Sequence, residues 1–349
     1  MNCMTEVGPT IDRIAYPSLI ARFILTAAVV GIPFGGSLAA TGNDWPLQPV
    51  ADIPLGGNTT RLDYESYDPS RHLLFIAHLG DSAVIVFDTQ TQRVVTRIAN
   101  VSKVHGVLAV PELGTVYASA TGTNEVVAID ETSLKITARM PGGIYPDGMA
   151  YAPPAHKLYV SDEHGGTDTV IDVETNTRVA TIALGGEVGN TQYDPVSKHI
   201  FSNVQTRNQL LEIDPTTDKV IQRIDLPGAQ GNHGLLIEPG QRRAFIACEG
   251  NDKLLVVDLQ TTKVTMSFDV GKDPDVLALD PSLHYLYVAG EAGVVSIFNV
   301  AAGSVLKIGE GFVGPNAHVV AVDPGTHQAY LPLMNLHGRT VLRIMRPKS

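Results

Sequence analysis

The sequence contains very little cysteine. Only Cys3 and Cys248 occur among its 349 residues, and neither a Cys-x-x-Cys pair nor a haem-attachment motif is present. The Gly-x-Ser-x-Gly elbow of many hydrolases is also missing. These absences exclude a fold held together by several disulfides, a redox dithiol and a hydrolase that uses that elbow.

Positive charge and tryptophan are also scarce. Lysine and arginine number 25 against 36 acidic residues, so the formal net charge is −11, and Trp45 is the single tryptophan. Proteins that bind nucleic acid without sequence preference need a basic groove and aromatic stacking platforms. This composition therefore makes nucleic acid an unfavourable partner.

Long hydrophobic runs are almost absent, and the one clear example lies near the start of the chain. Arg22 precedes an apolar run at residues 23–32, and Ser37-Leu38-Ala39-Ala40 then supplies the small residues expected at a cleavage site. This order is typical of a secretory signal cut after Ala39 or Ala40. We expect a signal peptide at residues 1–39, a periplasmic or secreted protein, and no transmembrane segment after signal removal. Cys3 would leave with the signal, so no intrachain disulfide could form.

A repeat fills the rest of the chain. Each unit has a short apolar strand, a turn that contains proline, and two further strands rich in Val, Ile and Tyr. The turn prolines follow one another at intervals of 41 to 44 residues, which is the period of four-stranded propeller blades. They are Pro69, Pro111, Pro154, Pro195, Pro239, Pro281 and Pro324.

The two ends of the repeat complement each other. The seventh unit stops at Ser349 after three strands, whereas residues 50–57 resemble an outer strand that precedes the first unit. A ring closed by this N-terminal strand leaves no free sheet edge. We therefore predict an all-β fold over residues 40–349: a seven-bladed β-propeller of four-stranded blades, in which the N-terminal strand completes the last blade.

The second strands carry a recognisable motif. Tyr117-Ala118-Ser119, Tyr159-Val160-Ser161 and Tyr287-Val288-Ala289 are each followed by a turn and an apolar run that ends in Asp or Asn. In these features the chain resembles the YVTN-type repeat of YncE-like propeller proteins. The resemblance implies the propeller architecture, which hosts binding scaffolds, lyases, lactonases and cofactor enzymes. It also implies a route to single-stranded DNA binding, which the acidic composition opposes.

Titratable residues recur at the start of the first strands, six residues before the turn proline, with Pro153 as the equivalent proline in blade three. The start of this strand faces the central channel of a propeller, so these side chains should converge on one opening. Three imidazoles and three carboxylates form a ligand set for a divalent transition metal. The positions are Asp63, His105, Asp147, Gly189, His233, Asp275 and His318.

This ring has two interpretations at the level of sequence. In the first, its six titratable residues bind a metal such as zinc or copper, or a small polar ligand. In the second, the aspartates bond nearby backbone N–H groups and each histidine donates to a neighbouring aspartate, so the belt only stabilises the fold. Sequence leaves both open.

A second tier of candidates lies nine and ten residues after the proline. We expect these turns to open on the same face as the ring. Cys248 would approach His233 across the strand pair and favour copper or zinc, unless it packs as a small apolar residue. The tier comprises His78, Glu163, His164, Cys248, Glu249 and Glu291.

Three further residues are candidates. Glu65 stands where most first strands have an apolar residue, and burial there could make it a general acid or base. In blade four, Gly189 and Asn190 reduce side-chain bulk and predict a ligand entry. Arg207, in the second turn of that blade, could then receive an anion.

These residues support three functions. The leading hypothesis is a monomeric propeller that binds a divalent metal or a small molecule in its funnel. The second is a metal-dependent enzyme at the same site: a hydrolase or lactonase, a lyase or an oxidoreductase. The third is a scaffold that holds an envelope protein at a blade face or loop rim.

Overall fold

The computed structural model describes residues 45–348, which form seven antiparallel four-stranded sheets. The first half of the chain contains, in order, β1 (Leu47–Pro54), β2 (Glu65–Asp68), β3 (Leu73–His78), β4 (Ala83–Asp88), β5 (Arg93–Ala99), β6 (Val104–Val110), β7 (Thr115–Ala120), β8 (Glu125–Asp130), β9 (Lys135–Pro141), β10 (Pro146–Ala152), β11 (Lys157–Asp162), β12 (Thr167–Asp172), β13 (Thr177–Ala183) and β14 (Val188–Asp194). The remainder are β15 (His199–Val204), β16 (Gln209–Asp214), β17 (Lys219–Asp225), β18 (Asn232–Glu238), β19 (Arg243–Cys248), β20 (Lys253–Asp258), β21 (Lys263–Asp269), β22 (Pro274–Asp280), β23 (Tyr285–Gly290), β24 (Val294–Asn299), β25 (Leu306–Phe312), β26 (Ala321–Asp323), β27 (Gln328–Leu336) and β28 (Arg339–Pro347).

The sheets are the blades of a closed ring. The first strand of each blade contacts the first strand of the next, and β26 of blade seven contacts β2 of blade one. In blade seven the strand order is β1, β28, β27, β26, with Ile53 opposite Leu342. The predicted seven-bladed propeller and its closure by the N-terminal strand are therefore confirmed.

Short 3-10 turns connect several strands of a blade. They lie at Leu79–Asp81, Pro111–Leu113, Thr121–Thr123, Pro153–Ala155, Gln205–Arg207 and Glu249–Asn251. Among the described residues no helix has the length and apolar character to cross a membrane. The predicted signal peptide and its cleavage site lie outside the part of the chain that the structure describes.

The core lies between adjacent blades. Tyr117 and the six residues at the same repeat position on the other second strands are each at most 2% exposed. Burial of such a side chain contributes about 1.5 to 3 kcal/mol to the stability of the fold. Because every blade packs on two neighbours, the fold needs no disulfide. The equivalent residues are Phe75, Tyr117, Tyr159, Phe201, Phe245, Tyr287 and Tyr330.

An aspartate ends the third strand in each of blades one to five, and it has a structural role. The carboxylate of Asp88 accepts hydrogen bonds from the backbone N–H groups of Gln90 and Thr91 at 2.8 and 2.9 Å, and Asp258 accepts the same pair of bonds in blade five. These bonds fix the turn into the outer strand. The recurrence of this acid therefore reflects the repeat and not a binding site.

A bulge in the first strand turns the ring residues toward the channel. In blade two, strand pairing with β7 is interrupted between Val104 and Val107, and the matching interruption occurs in blades three to six. Residues in a bulge leave the ladder and change the direction of their side chains. A Cβ on Gly106, the second bulge residue, would lie 2.1 Å from the carbonyl oxygen of Asp147. Glycine at this position therefore lets neighbouring first strands approach closely.

Candidate metal centre in the central funnel

A cavity of about 620 Å³ opens at the start of the first strands, and acidic side chains dominate its wall. Arg61 and Lys103 are the basic residues on that wall. The excess of negative charge favours a cation or a ligand with donor groups. The acidic residues are Asp63, Asp147, Glu163, Glu249, Asp273, Asp275 and Glu291.

The structure brings the ring residues together at this cavity. Five of the six titratable members line it: Asp63, His105, Asp147, His233 and Asp275. The sixth, His318, is 1% exposed and lies directly behind the wall. The bulges account for this convergence in blades two to six. Asp63 and His318 precede β2 and β26, which have no bulge.

Hydrogen bonds define the protonation of two ring histidines. His105 and His318 each place Nδ1 3.0 Å from a backbone carbonyl two residues earlier, those of Lys103 and Asn316. A carbonyl can only accept, so Nδ1 carries the proton and Nε2 presents a lone pair. Burial lowers the pKa of both imidazoles. Both rings are therefore neutral, the form that binds a metal.

The Nε2 atoms of these two histidines have different surroundings. Tyr145 Oη lies 2.9 Å from His105 Nε2 and donates to it. His318 Nε2 is buried and has no hydrogen-bond partner among the described residues. It lies 3.9 Å from Asp275 Oδ2 and 3.9 Å from Glu291 Oε1. His318 thus directs a free lone pair at two carboxylates.

Asp275 lies between two histidines. Its Oδ1 is 3.5 Å from His233 Nε2, whereas its Oδ2 faces His318. Two sets of side chains able to hold a metal share this residue: His233, Glu249 and Asp275, here termed the His233 group, and Asp275, Glu291 and His318, the His318 group. Within each group the ligand atoms lie within 4.8 Å of one another.

Burial and crowding shift the protonation of the cavity wall. Burial raises the pKa values of Asp147 and Asp275 well above their usual range, and nearby carboxylates add to the shift. Burial alone would lower the pKa of His233, but Glu249 and Asp147 are among the carboxylates that raise it. Burial therefore disfavours the charged form of these carboxyl groups, and a bound cation would favour it.

Arg61 supplies positive charge beside the His318 group. Its Nε donates to Asp63 Oδ2 at 2.9 Å and its Nη1 donates to Glu291 Oε1 at 2.6 Å. The two carboxylates hold the pKa of Arg61 above its usual range although burial opposes them. The amide of Asn316 donates to the other oxygen of Glu291. Sequence reasoning missed Arg61, which lies two residues before a ring position.

Tyr64 crosses the channel and was also missed. Its hydroxyl accepts from Asn190 Nδ2 at 2.6 Å and lies 3.0 Å from His233 Nε2 and 3.5 Å from Asp147 Oδ2. The side chain of Tyr64 borders both the funnel and a second cavity of about 160 Å³. Tyr64 therefore separates the funnel from the rest of the channel.

The predicted ligand entry in blade four is wrong. A Cβ on Gly189 would lie 2.6 Å from the carbonyl oxygen of His233, so this glycine permits close blade packing instead of leaving a gap. Asn190 is bonded to Tyr64 and borders the second cavity. Arg207 is exposed, donates to the carbonyl of Gly185 at 2.9 Å and is not part of the funnel wall.

Of the two interpretations of Cys248, the structure favours a small apolar residue over an approach to His233. Cys248 pairs with Asn232 in the strand register, and its side chain packs in an apolar cluster with Leu235 and Ile246. Burial raises the pKa of the thiol to about 12. The thiol is thus a small core group, and only the following residue, Glu249, reaches the funnel.

His78 and His164, predicted as second-tier ligands, do not join the funnel wall. His78 Nδ1 accepts from Arg97 Nη2 at 2.7 Å, and its Nε2 is 3.0 Å from Thr60 Oγ1. His164 lies at the surface, where its ring stacks on Tyr145 at a centroid distance of 4.2 Å. Each imidazole also lies near one local carboxylate: His78 Nδ1 is 3.5 Å from Asp81 Oδ2, and His164 Nδ1 is 3.9 Å from Glu163 Oε2.

Glu65 lies beneath Tyr64, in the wall of the second cavity, where its neighbours include Val107 and Leu235. Burial raises its pKa well above the usual range. Glu65 thus borders the second cavity, and Tyr64 separates it from the imidazoles of the funnel.

Comparisons with known proteins support the same architecture. The chain is 23% identical to the protein YncE of Salmonella typhi over 168 residues, which cover 46% of this chain and 47% of that protein. It is 24% identical to YncE of Salmonella typhimurium over 182 residues, half of each chain. The chain thus matches about half the length of these curated relatives. No protein-family model matches it.

Solved structures share the fold at low sequence identity. A chain of Kuenenia stuttgartiensis hydrazine synthase has a TM-score of 0.71 at 15% identity, covering 85% of this chain and 96% of its own. A chain of the mitotic checkpoint complex has a TM-score of 0.73 at 14% identity, covering 95% and 99%. These likenesses concern the fold alone. The YncE matches confirm the resemblance that the repeat predicted: this β-propeller is similar to YncE.

Proposed function

We propose that the funnel binds a divalent transition-metal ion through Asp275 and the imidazoles on either side of it, with zinc as the first candidate. The observation that carries this proposal is the free Nε2 of His318. Its Nδ1–H is fixed by the carbonyl of Asn316, and a histidine that ligates a metal is usually oriented by such a bond. A buried lone pair without a donor is otherwise unfavourable.

The separations between the side chains support a metal better than direct hydrogen bonds. His318 Nε2 lies 3.9 Å from both Asp275 Oδ2 and Glu291 Oε1, which is too long for a hydrogen bond. Ligand atoms about 2.1 Å from one zinc ion lie about 3.4 Å apart in a tetrahedron. Small side-chain movements would therefore complete the coordination.

The charge of the wall supports a cation as well. Asp147 and Asp275 each have a buried oxygen without a hydrogen-bond partner in the described part of the chain. A buried carboxyl group avoids the cost of an isolated charge either by keeping a proton or by binding a cation. Without Cys248 in the group, the ligands are imidazole nitrogen and carboxylate oxygen, which suit zinc.

An enzyme at the same site is a second candidate, and the size of the cavity favours it. About 620 Å³ is far more than a single ion occupies, and three protein ligands leave a position for water or substrate. Such a centre would serve a metal-dependent hydrolase or lactonase, a lyase or an oxidoreductase.

Export from the cytoplasm is part of the proposal. Its support is the basic flank, the apolar run and the small residues expected at a cleavage site, all within residues 22–40. Amino-terminal sequencing of the protein from the periplasm or medium, expected to begin after Ala39 or Ala40, tests it.

Metal analysis of purified protein tests the binding function. After dialysis without chelator, the wild type should retain at least one zinc ion per chain by elemental analysis. Asp275→Asn should retain none, whereas Glu163→Gln should resemble the wild type. Glu163 is a matched control because its backbone N–H bonds a carbonyl in the same way as those of Glu249 and Glu291, although it belongs to neither metal group. Wild type that binds no divalent ion, even after addition, would contradict the proposal.

A further inference from the structure

The two carboxylate oxygens of Asp275 face different imidazoles. Oδ1 lies 3.5 Å from His233 Nε2 and Oδ2 lies 3.9 Å from His318 Nε2. We propose that the funnel holds two divalent ions at once and that Asp275 bridges them. This inference rests on the proposed metal-binding function and extends it from one ion to a two-ion centre.

Each ion would have its own set of ligands. Glu249 completes the His233 group, and Glu291 completes the His318 group. Each imidazole belongs to one group only, whereas Asp275 belongs to both. A carboxylate that offers one oxygen to each of two ions is the common bridge in two-metal sites, where the ions lie about 3.5 to 4 Å apart.

Buried atoms without partners occur where the two groups meet. Asp275 is 4% exposed and its Oδ1 has no hydrogen-bond partner within residues 45–348. The same holds for Nε2 of His318, which is 1% exposed. One bound ion would therefore be a partner for Oδ1 of Asp275, and the other ion would be a partner for Nε2 of His318.

Arg61 makes the two positions unequal. Its guanidinium donates to Glu291 and already neutralises part of the His318 group. Within residues 45–348 no arginine or lysine forms an ion pair with the residues of the His233 group, in which His233 faces Asp275. An ion beside His318 must compete with this charge. We expect one tighter site at the His233 group and one weaker site at the His318 group. The Arg61 side chain is 38% exposed, so it can turn toward solvent when the second ion binds.

The experiment is a manganese titration of the full chain, followed by electron paramagnetic resonance. Wild type should bind two Mn²⁺ ions with different affinities, and the saturated protein should give the exchange-coupled spectrum of two bridged ions. His318→Gln and Glu249→Gln should each bind one ion and give an isolated-ion spectrum. Glu163→Gln should keep two ions and the coupling.

A second variant tests the role of Arg61. Arg61→Gln should strengthen binding of the weaker ion about 10-fold, because it removes the competing charge. Circular dichroism and thermal unfolding confirm that each variant is folded before its metal content is compared. An unchanged affinity for the second ion would contradict its placement beside Arg61.

The outcomes separate this inference from the function on which it rests. One ion per wild-type chain at saturation, or two ions without coupling, would overturn the bridge but leave metal binding intact. A chain that binds no manganese and no zinc would overturn both proposals.

Discussion

His105 and His318 occupy the same repeat position, yet their surroundings differ. Both place Nδ1–H on the carbonyl of the residue two positions earlier. The following blade then differs: Tyr145 donates to Nε2 of His105, whereas Arg61, its counterpart, bonds Asp63 and Glu291 and leaves Nε2 of His318 free. One imidazole is a satisfied structural group, and the other remains available as a ligand.

This difference shows what decides the role of a ring residue. In blades two to six a bulge in the first strand delivers the ring residue to the funnel, whereas β2 and β26 have no such interruption. For His105 and His318, the residue two positions before the ring residue of the next blade determines what Nε2 meets. Burial is similar for the two imidazoles, since His105 is 9% and His318 is 1% exposed. For these two imidazoles the partner of Nε2 and the nearby carboxylates, and not burial, make the difference. His233 also has a tyrosine partner at Nε2, but it belongs to a metal group because Glu249 and Asp275 lie beside it.

The largest expected effect comes from Asp275→Asn. The amide keeps the shape of the side chain but removes the charge shared by both metal groups, so metal affinity should fall about 1000-fold, or about 4 kcal/mol. Isothermal titration with zinc measures this loss. Retention of wild-type affinity would show that the ion lies elsewhere.

A pair of matched variants tests the contrast between the histidines directly. His318→Gln should weaken binding of the zinc ion at the His318 group about 10- to 100-fold, because it removes a metal ligand. His105→Gln should change the zinc affinity less than about 3-fold, because Nε2 of His105 already accepts from Tyr145. Titration of both variants under the same conditions gives the ratio of their losses in zinc affinity. Equal losses of zinc affinity in the two variants would contradict the different roles of His318 and His105.

Much of the architecture could be predicted from the sequence. The spacing of the turn prolines gave the number of blades, and the missing fourth strand of the last unit gave the closure. The convergence of Asp63, His105, Asp147 and their equivalents followed from the repeat register. These features depend on local strand and turn patterns, which a single chain displays directly.

The side-chain contacts inside the funnel were harder to predict from the sequence. Tyr64 meets Asp147, Asn190 and His233, which lie 83, 126 and 169 residues further along the chain. Such pairings depend on side-chain reach across the ring, which repeat register does not encode. The sequence left two interpretations of Cys248 open for a related reason: strand pairing sets its neighbour as Asn232, one residue before the ring position.

Asp168 extends the comparison to a buried acid with satisfied oxygens. Ser202 Oγ donates to it at 2.7 Å and Thr191 Oγ1 at 3.4 Å, while Asp162 and Tyr159 are the titratable neighbours. Burial raises its pKa to about 7. The folded state therefore holds a proton that the unfolded chain has lost above about pH 4, so this group's contribution to stability falls as pH rises through 7.

Asp168→Asn should remove that dependence. Between pH 5 and pH 8 the wild type should lose roughly 2 kcal/mol more unfolding free energy than the variant. Urea unfolding at both pH values, with Asp88→Asn as a control for an exposed turn acid, measures the difference. A variant whose stability changes with pH in parallel with the wild type would show that Asp168 titrates as an ordinary carboxyl group.

The smallest expected effect comes from Tyr145→Phe, which makes His105 resemble His318. Loss of the hydroxyl leaves Nε2 of His105 without its donor, and we expect a cost of about 1 kcal/mol in unfolding free energy. Metal content should stay the same, because His105 belongs to neither metal group among the described residues. Urea unfolding and elemental analysis of the same sample check both statements. If the variant bound an additional ion, a free buried imidazole would be sufficient for binding in this funnel, and the paired carboxylates around His318 would not be the deciding feature.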